Sequence, residues 1–266
     1  MINDDIMSKL KIKQLEPALY IKNFVNNEEL CNYEKYLLEF INQSSFFRNL
    51  SEGEKYKKPL SEENGQSDAN SDKYKIDFKL FEASSYIEGK SIYSSQKTLL
   101  MKGAVISHLS KEKGQTLGVN LYNEVRKIKS TKELSKYEEK FKKIKKMYRN
   151  EDNIDDQVKC ELSIIVENLN KNKNLLFFFP REFNYKGECD DEQVLDVITR
   201  CIYEDFGILY RYRCEKGISN KDTFFSCVYK ERFLIFKFGD TNAELIEQIN
   251  ISNSDTFSYL YTTYNL

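Results

Sequence analysis

The stretch of sequence that decides the fold is SDANSDKYKIDFKLF, residues 67–81. Its second half alternates apolar and polar side chains: Tyr74, Ile76, Phe78 and Leu80 against Lys75, Asp77 and Lys79. Side chains of a strand point to opposite faces in turn, so this pattern predicts a strand with one buried face. The other face of the same strand then carries a carboxylate between two ammonium groups.

The polar residues before this strand predict a hairpin that adds a second carboxylate. A tight turn at Ser71-Asp72 places Asp68 on the polar face of the strand, where diagonal neighbours lie roughly 7–8 Å apart. Two carboxylates at that separation can share a Mg²⁺ ion, which accepts one or two carboxylates besides water and phosphate. Lys79 lies on the same side as Asp77 and could orient an attacking water. A solvated polar face is the simpler interpretation, and a register shift of one residue would move Asp68 to the other face.

Asp68, followed nine residues later by Asp77-Phe78-Lys79, resembles the motif of the PD-(D/E)xK nuclease superfamily, although Ser67 stands where that motif has proline. The resemblance covers residues 27–110. It implies a restriction-endonuclease-like mixed sheet with flanking helices, and Mg²⁺ or Mn²⁺ held by Asp68 and Asp77. It also implies that Lys79 is the catalytic lysine. Auxiliary catalytic residues would be Glu34 on a preceding helix and Gln96 on a following one, with Lys90 as the alternative to Gln96.

The rest of the chain predicts interleaved helices and strands, and therefore an α+β or α/β class. Helices are predicted over 27–41, from the capping box at Ser130, and over 153–170, 191–206 and 241–250. A buried strand is predicted over 174–180, ended by Pro180, and a hairpin over 224–238 with Lys230-Glu231 at its turn. We divide the chain into a nuclease-like core, 1–112, and a region, 113–266, that completes the fold or binds substrate or partner.

Two basic segments are candidates for nucleic-acid contact. The first is the Lys-rich face of the helix that begins after Ser130; its candidate residues are Lys142, Lys143, Lys145 and Lys146. Phosphate contacts of this kind supply most non-specific affinity for nucleic acid. The second is YRYR, residues 210–213, where Arg211 and Arg213 would share one face of a strand. Solvated surfaces of a helix and of an edge strand are the plainer interpretations of the two segments.

Composition limits the classes of function. The 266 residues carry a net charge of −1, so any nucleic-acid binding needs a local patch. One histidine and six scattered cysteines predict no zinc set, and no apolar run approaches the roughly 20 residues that cross a bilayer. We expect a soluble cytoplasmic protein, a metal-dependent nuclease of DNA or RNA that would suit bacterial defence or restriction. The alternative is a non-catalytic interaction protein, a subunit of a larger complex or a mobile-element protein. Either function leaves room for a protein partner or a homo-oligomer.

Overall fold

A computed structural model describes residues 2–16, 33–59, 66–81, 120–144, 154–250 and 262–264 of the chain. Its helices are α1 (Ile2–Lys9), α2 (Tyr33–Gln43), α3 (Ser45–Leu50), α4 (120–127), α5 (Thr131–Ile144), α6 (Ile154–Leu169) and α7 (Asp191–Glu215). Its strands are β1 (Leu10–Glu16), β2 (Ala69–Asn70), β3 (Lys75–Leu80), β4 (Asn174–Tyr185), β5 (Thr223–Tyr229), β6 (Arg232–Phe238), β7 (Ala243–Asn250) and β8 (Thr262–Tyr264). The alternating stretch is therefore β3, as predicted.

All eight strands belong to one mixed sheet. Its main path runs β2-β3-β4-β5-β6-β7, and β1 adds to β4 and carries β8 on its other side. Strands β3, β4 and β5 pair in parallel, whereas the remaining pairs are antiparallel. The predicted mixed sheet with flanking helices is confirmed, and the protein has a mixed α/β fold. The predicted division at residues 112/113 falls outside the described residues, and the sheet contains strands from both sides of it.

Strand β4 organises the sheet because it changes partner along its length. Its first half pairs with β3 in parallel, and its second half pairs with β1 antiparallel, while β5 accompanies it throughout. Pro180 lies at the change of partner, where the register with β5 also shifts between Phe178 and Glu182. The prediction that Pro180 ends the strand is wrong, because a residue without an N–H is tolerated at such an irregularity.

Helices cover both faces of the sheet over apolar cores. Helices α2 and α3 pack against one face of β3, which contributes Ile76 and Phe78. The other face packs against α4 to α7, and its centre is aromatic: Phe206 of α7 stacks on Phe225 at a centroid distance of 4.2 Å. Because side chains alternate along β3, Asp77 and Lys79 project toward this second layer of helices.

Two further predictions are confirmed and one is wrong. The hairpin of β5 and β6 turns at Lys230 and Glu231, whose φ angles of 44° and 59° suit a tight hairpin turn. Helix α6 matches the prediction over 153–170. Residues 243–250 form β7 instead of a helix, because pairing with β6 from Ala243 to Asn250 satisfies their backbone and overrides the helical spacing of their apolar residues. No helix among the described residues is both long and apolar enough to span a membrane.

Candidate active site around Asp77

The β2–β3 hairpin brings the two predicted metal ligands together. Ala69 pairs with Ile76 and Asn70 with Lys75, so Asp68 lies opposite Asp77 at the next position. The turn therefore centres on Asp72-Lys73, closed by the Ser71 amide donating to the Tyr74 carbonyl at 3.0 Å, and the predicted register was wrong by two residues. A shift of two positions keeps a side chain on the same face, which is why the predicted juxtaposition of the carboxylates survives.

Asp68 is held in place by the backbone of β3. Its Oδ2 accepts a hydrogen bond of 2.6 Å from the Phe78 amide. This bond satisfies an amide that the short strand β2 does not reach, because β2 ends its pairing at Ala69 and Ile76. A hydrogen bond from a backbone amide to a carboxylate is charge-assisted, so the position of Asp68 beside β3 is well determined.

Lys79 bridges the two carboxylates. Its Nζ lies 3.6 Å from Oδ2 of Asp68 and 3.8 Å from Oδ2 of Asp77. The side chains of Asp68, Lys79 and Asp77 are 25%, 22% and 5% exposed, respectively. The polar face of β3 is therefore shielded from water at Asp77, whereas Lys75 on the same face is exposed. Burying a carboxylate costs free energy unless it is paired, and such costs are often met where a site needs the group.

A second ammonium group, Lys173, completes the pairing of Asp77. It lies directly before β4, and its Nζ donates to Oδ1 and Oδ2 of Asp77 at 3.1 and 3.0 Å and to the carbonyl of Gln66 at 3.1 Å. Sequence reasoning missed Lys173, which is 96 positions from Asp77. The available signal was a lysine directly before a buried strand, but it becomes informative only when that strand is known to pair in parallel with β3. Asp68, Asp77, Lys79 and Lys173 are called the Asp77 cluster below.

Lys171 adds a third positive charge beside the Asp77 cluster. Partial burial lowers the pKa of Lys171 from its ordinary value, and the ammonium of Lys79 lowers it further, while Glu167 and Asp77 oppose these effects. With Glu167, the three ammonium groups of Lys79, Lys171 and Lys173 lie among three carboxylates. The side chain of Lys171 is nevertheless exposed to solvent, and its Nζ donates to Oδ1 of Asn168 at 2.8 Å, so Lys171 lies at the edge of the site.

Arg213 supports the segment that carries these lysines. The YRYR stretch is the end of α7 and not a strand, so Arg211 and Arg213 do not share one face, because neighbours on a helix lie three or four positions apart. Arg213 is buried, and its guanidinium donates to the carbonyls of Lys171 and Lys173, at 3.4 and 2.5 Å, and to Oγ1 of Thr223 at 3.0 Å. Burial lowers its pKa to about 10. Direct contact between Arg213 and a nucleic acid is excluded by this burial.

The remaining predicted residues lie elsewhere or outside the described ranges. Arg211 is exposed and donates to the Tyr203 hydroxyl at 3.3 Å. Glu34 lies in the first turn of α2, which packs on the other side of the sheet from Asp77, and its auxiliary role stays a prediction. Lys142 and Lys143 lie in α5, and their phosphate contacts also stay predictions. Gln96, Lys90, Lys145 and Lys146 lie outside the described residues.

The two carboxylates of the Asp77 cluster fit a hard divalent cation that takes only one or two of its ligands from the protein. Asp68 and Asp77 are the carboxylates nearest to Lys79, and Mg²⁺ is commonly held by one or two carboxylates, with water and phosphate completing its octahedron. Within the described ranges no group of three or more histidine, cysteine, aspartate or glutamate side chains could hold a metal ion. These residues therefore suit an ion that the substrate helps to bind better than a structural ion in a closed cage.

Comparisons of the chain with protein-family models, with curated proteins and with solved structures found no match.

Proposed function

We propose that the protein hydrolyses phosphodiester bonds of DNA or RNA with the help of Mg²⁺ or Mn²⁺, and that the Asp77 cluster is its active site. The observation that carries this proposal is the contact of one ammonium group, Lys79, with both carboxylates. A lysine that only neutralised a buried aspartate would need one partner. A pair of carboxylates with a lysine between them provides metal ligands and a proton-handling group within a few ångströms.

Each residue has a defined part in this proposal. Asp68 and Asp77 would hold the cation, which when bound supplies a Lewis acid for the phosphate and a water of lowered pKa. Lys79 would hold the attacking water or donate to a phosphate oxygen as negative charge develops there. The near-complete burial of Asp77 keeps competing water away from these contacts. Ile76 and Phe78 fix β3 against the apolar core on the opposite face of the sheet, so Asp77 and Lys79 stay in register.

The experiment is cleavage of plasmid DNA and of structured RNA with Mg²⁺ or Mn²⁺, comparing wild type with Asp77→Asn and Lys79→Met. We expect each variant to lose roughly 10²–10³-fold in rate, as when one group that stabilises a transition state is removed. The matched control is Asp191→Asn, since Asp191 also pairs with a lysine but its side chain is 42% exposed in the first turn of α7. Equal cleavage by all four proteins, or none by the folded wild type, would refute the proposal.

A second function, binding of nucleic acid without cleavage, is favoured by one observation. Lys173 donates to both oxygens of Asp77, so a cation can reach that carboxylate only by competition, while Lys79 and Lys173 supply two ammonium groups that can contact phosphate. Binding of a labelled duplex or hairpin in the presence of Ca²⁺ separates the two functions. Retained binding by a wild type that does not cut would select this second one.

A further inference from the structure

The segment that carries Lys171 and Lys173 is anchored at several points. Arg213 donates to the carbonyls of both lysines from the helix layer. On the other side, Nδ2 of Asn174 donates to the carbonyl of Lys75 at 2.9 Å, and its Oδ1 accepts from the amide of Asp222 at 3.0 Å. The backbone of Lys173 is thereby tied to β3, to α7 and to the segment before β5. An ammonium presented from such a backbone loses little additional entropy when it binds a ligand.

The contacts of Lys173 make it a competitor for any cation at Asp77. Its Nζ lies within 3.1 Å of both carboxylate oxygens, so an ion that binds Asp77 must take at least one oxygen from it. The displaced ammonium remains beside the site because its backbone is anchored. A phosphate bound to the cation would then be the nearest anion to it, and charge-assisted contacts of lysine with phosphate are strong.

We propose that Lys173 moves between two partners, Asp77 in the free protein and a phosphate of the nucleic-acid substrate in the complex, and that buried Arg213 is the positioning residue that keeps it there. This inference rests on the proposed function and deepens it, because it names the phosphate-binding group of that site. It also implies that Lys173 weakens the binding of the cation when no phosphate is present. The cation and the nucleic acid then bind cooperatively.

The test measures two affinities that move in opposite directions. In Lys173→Met, we expect Mn²⁺ to bind about tenfold more tightly in the absence of nucleic acid, since a competing ammonium is lost, as measured by calorimetry. A labelled DNA duplex or RNA hairpin in Ca²⁺ should bind about tenfold more weakly, with a salt slope smaller by about one phosphate contact. The matched control, Lys230→Met, removes the same charge from an exposed ion pair and should change neither affinity.

These outcomes separate this inference from the proposed function. A purely structural salt bridge would change stability without tightening the binding of Mn²⁺. Failure of either affinity to move as stated, including no detectable Mn²⁺ binding by either protein, would overturn the role of Lys173. If both affinities move but the wild type cleaves nothing, the role of Lys173 stands and hydrolysis fails. If the wild type cleaves and both affinities are unchanged in Lys173→Met, hydrolysis stands and the role of Lys173 fails.

The role of Arg213 is tested by a conservative change. Arg213→Lys keeps the charge but replaces two donor nitrogens, Nη1 toward Thr223 and Nη2 toward the two carbonyls, with a single ammonium, so it should loosen the segment while the protein still folds. We expect Mn²⁺ to bind several-fold more tightly to this variant, because Lys173 holds Asp77 less firmly. The double variant with Lys173→Met should bind no more tightly than Lys173→Met alone. Additive effects of the two substitutions would overturn the positioning role.

Discussion

Two clusters of carboxylates and basic side chains in this protein make similar ion pairs but differ in burial. In the Asp77 cluster the central carboxylate is 5% exposed and contacts Lys79 and Lys173. In the second, here called the Asp191 cluster, Asp191 is 42% exposed and contacts Lys230 at 2.6 Å and Arg232 at 2.8 Å. Each carboxylate has two basic partners, and Asp191 also accepts a hydrogen bond from the Tyr229 hydroxyl at 3.2 Å. Only in the Asp77 cluster is the carboxylate removed from water. This burial costs free energy, and a carboxylate that only keeps the protein soluble would stay exposed.

The origins of the two clusters differ as well. Asp191 lies in the first turn of α7, where a carboxylate favours the helix dipole, and its partners lie at and beside the turn of one hairpin. This arrangement has a sufficient structural explanation. Asp77 lies in the middle of a strand, and its partners are Lys79 of β3 itself and Lys173, directly before β4. The comparison teaches that burial and convergence of distant segments, and not the presence of ion pairs, distinguish the candidate site.

The largest difference between the two clusters is expected on substitution of the arginine that supports each one. Arg213→Met should lower the free energy of unfolding by about 3 kcal/mol, because the part-buried carbonyls of Lys171 and Lys173 and the buried Thr223 hydroxyl lose their donor. Arg232→Met should cost about 1 kcal/mol or less, since Arg232 makes a partly exposed ion pair. Urea unfolding followed by circular dichroism measures both, because the chain has no tryptophan. Equal losses would show that the Arg213 contacts stabilise the fold no more than the Arg232 ion pair does.

A smaller difference is expected for the carboxylates themselves. Asp77→Asn should lower stability by about 2 kcal/mol, because Lys79 and Lys173 remain close together with less negative charge between them. Asp191→Asn should change stability by no more than about 0.5 kcal/mol, as for exposed pairs. The same urea titrations provide the measurement. A stabilised Asp77→Asn variant would mean that the carboxylate is strained in the folded protein and is retained for its chemistry alone.

A high salt concentration should weaken the ion pairs of the two clusters to different extents. The coupling energy between Asp77 and Lys173, from a double-mutant cycle, should persist at 1 M NaCl, because partly buried charges are screened little. The coupling between Asp191 and Lys230 is expected to be about 0.5 kcal/mol at low salt and to approach zero in 1 M NaCl. Parallel losses in both cycles would indicate that solvent reaches Asp77 as freely as it reaches Asp191.

The smallest effect is a pH dependence. The hydrogen bond from Lys230 lowers the pKa of Asp191 below its ordinary value of 3.8, and the charges of Lys230 and Arg232 act in the same direction. A lowered carboxyl pKa stabilises the fold above pH 3.8 and loses that contribution as pH falls through the folded pKa. Since Asp191 is largely exposed, wild type and Asp191→Asn should differ by about 0.5 kcal/mol or less at pH 6 and converge below pH 3.8. A difference that persists in acid would contradict this assignment.

Local patterns in the sequence determined much of the secondary structure and one half of the candidate site. The alternation around Asp77 predicted β3, and the even spacing of Asp77 and Lys79 put them on one face, because the strand period is two. That period also kept Asp68 on the correct face although the predicted register was wrong by two residues. The hairpin at Lys230-Glu231 followed from the same kind of local evidence.

Only the tertiary structure decided the other half of the site. Lys173 meets Asp77 because β3 and β4 pair in parallel, with Asp77 opposite Leu175, and no local pattern specifies which strands pair. Arg213 supports Lys173 because α7 continues past residue 206 to Glu215, where the packing of its buried face overrides the alternation of YRYR. Residues 243–250 became a strand because β6 offered them backbone partners. Periodicity determines which face of an element is buried, whereas the contacts among elements far apart in sequence depend on the packing of the whole chain.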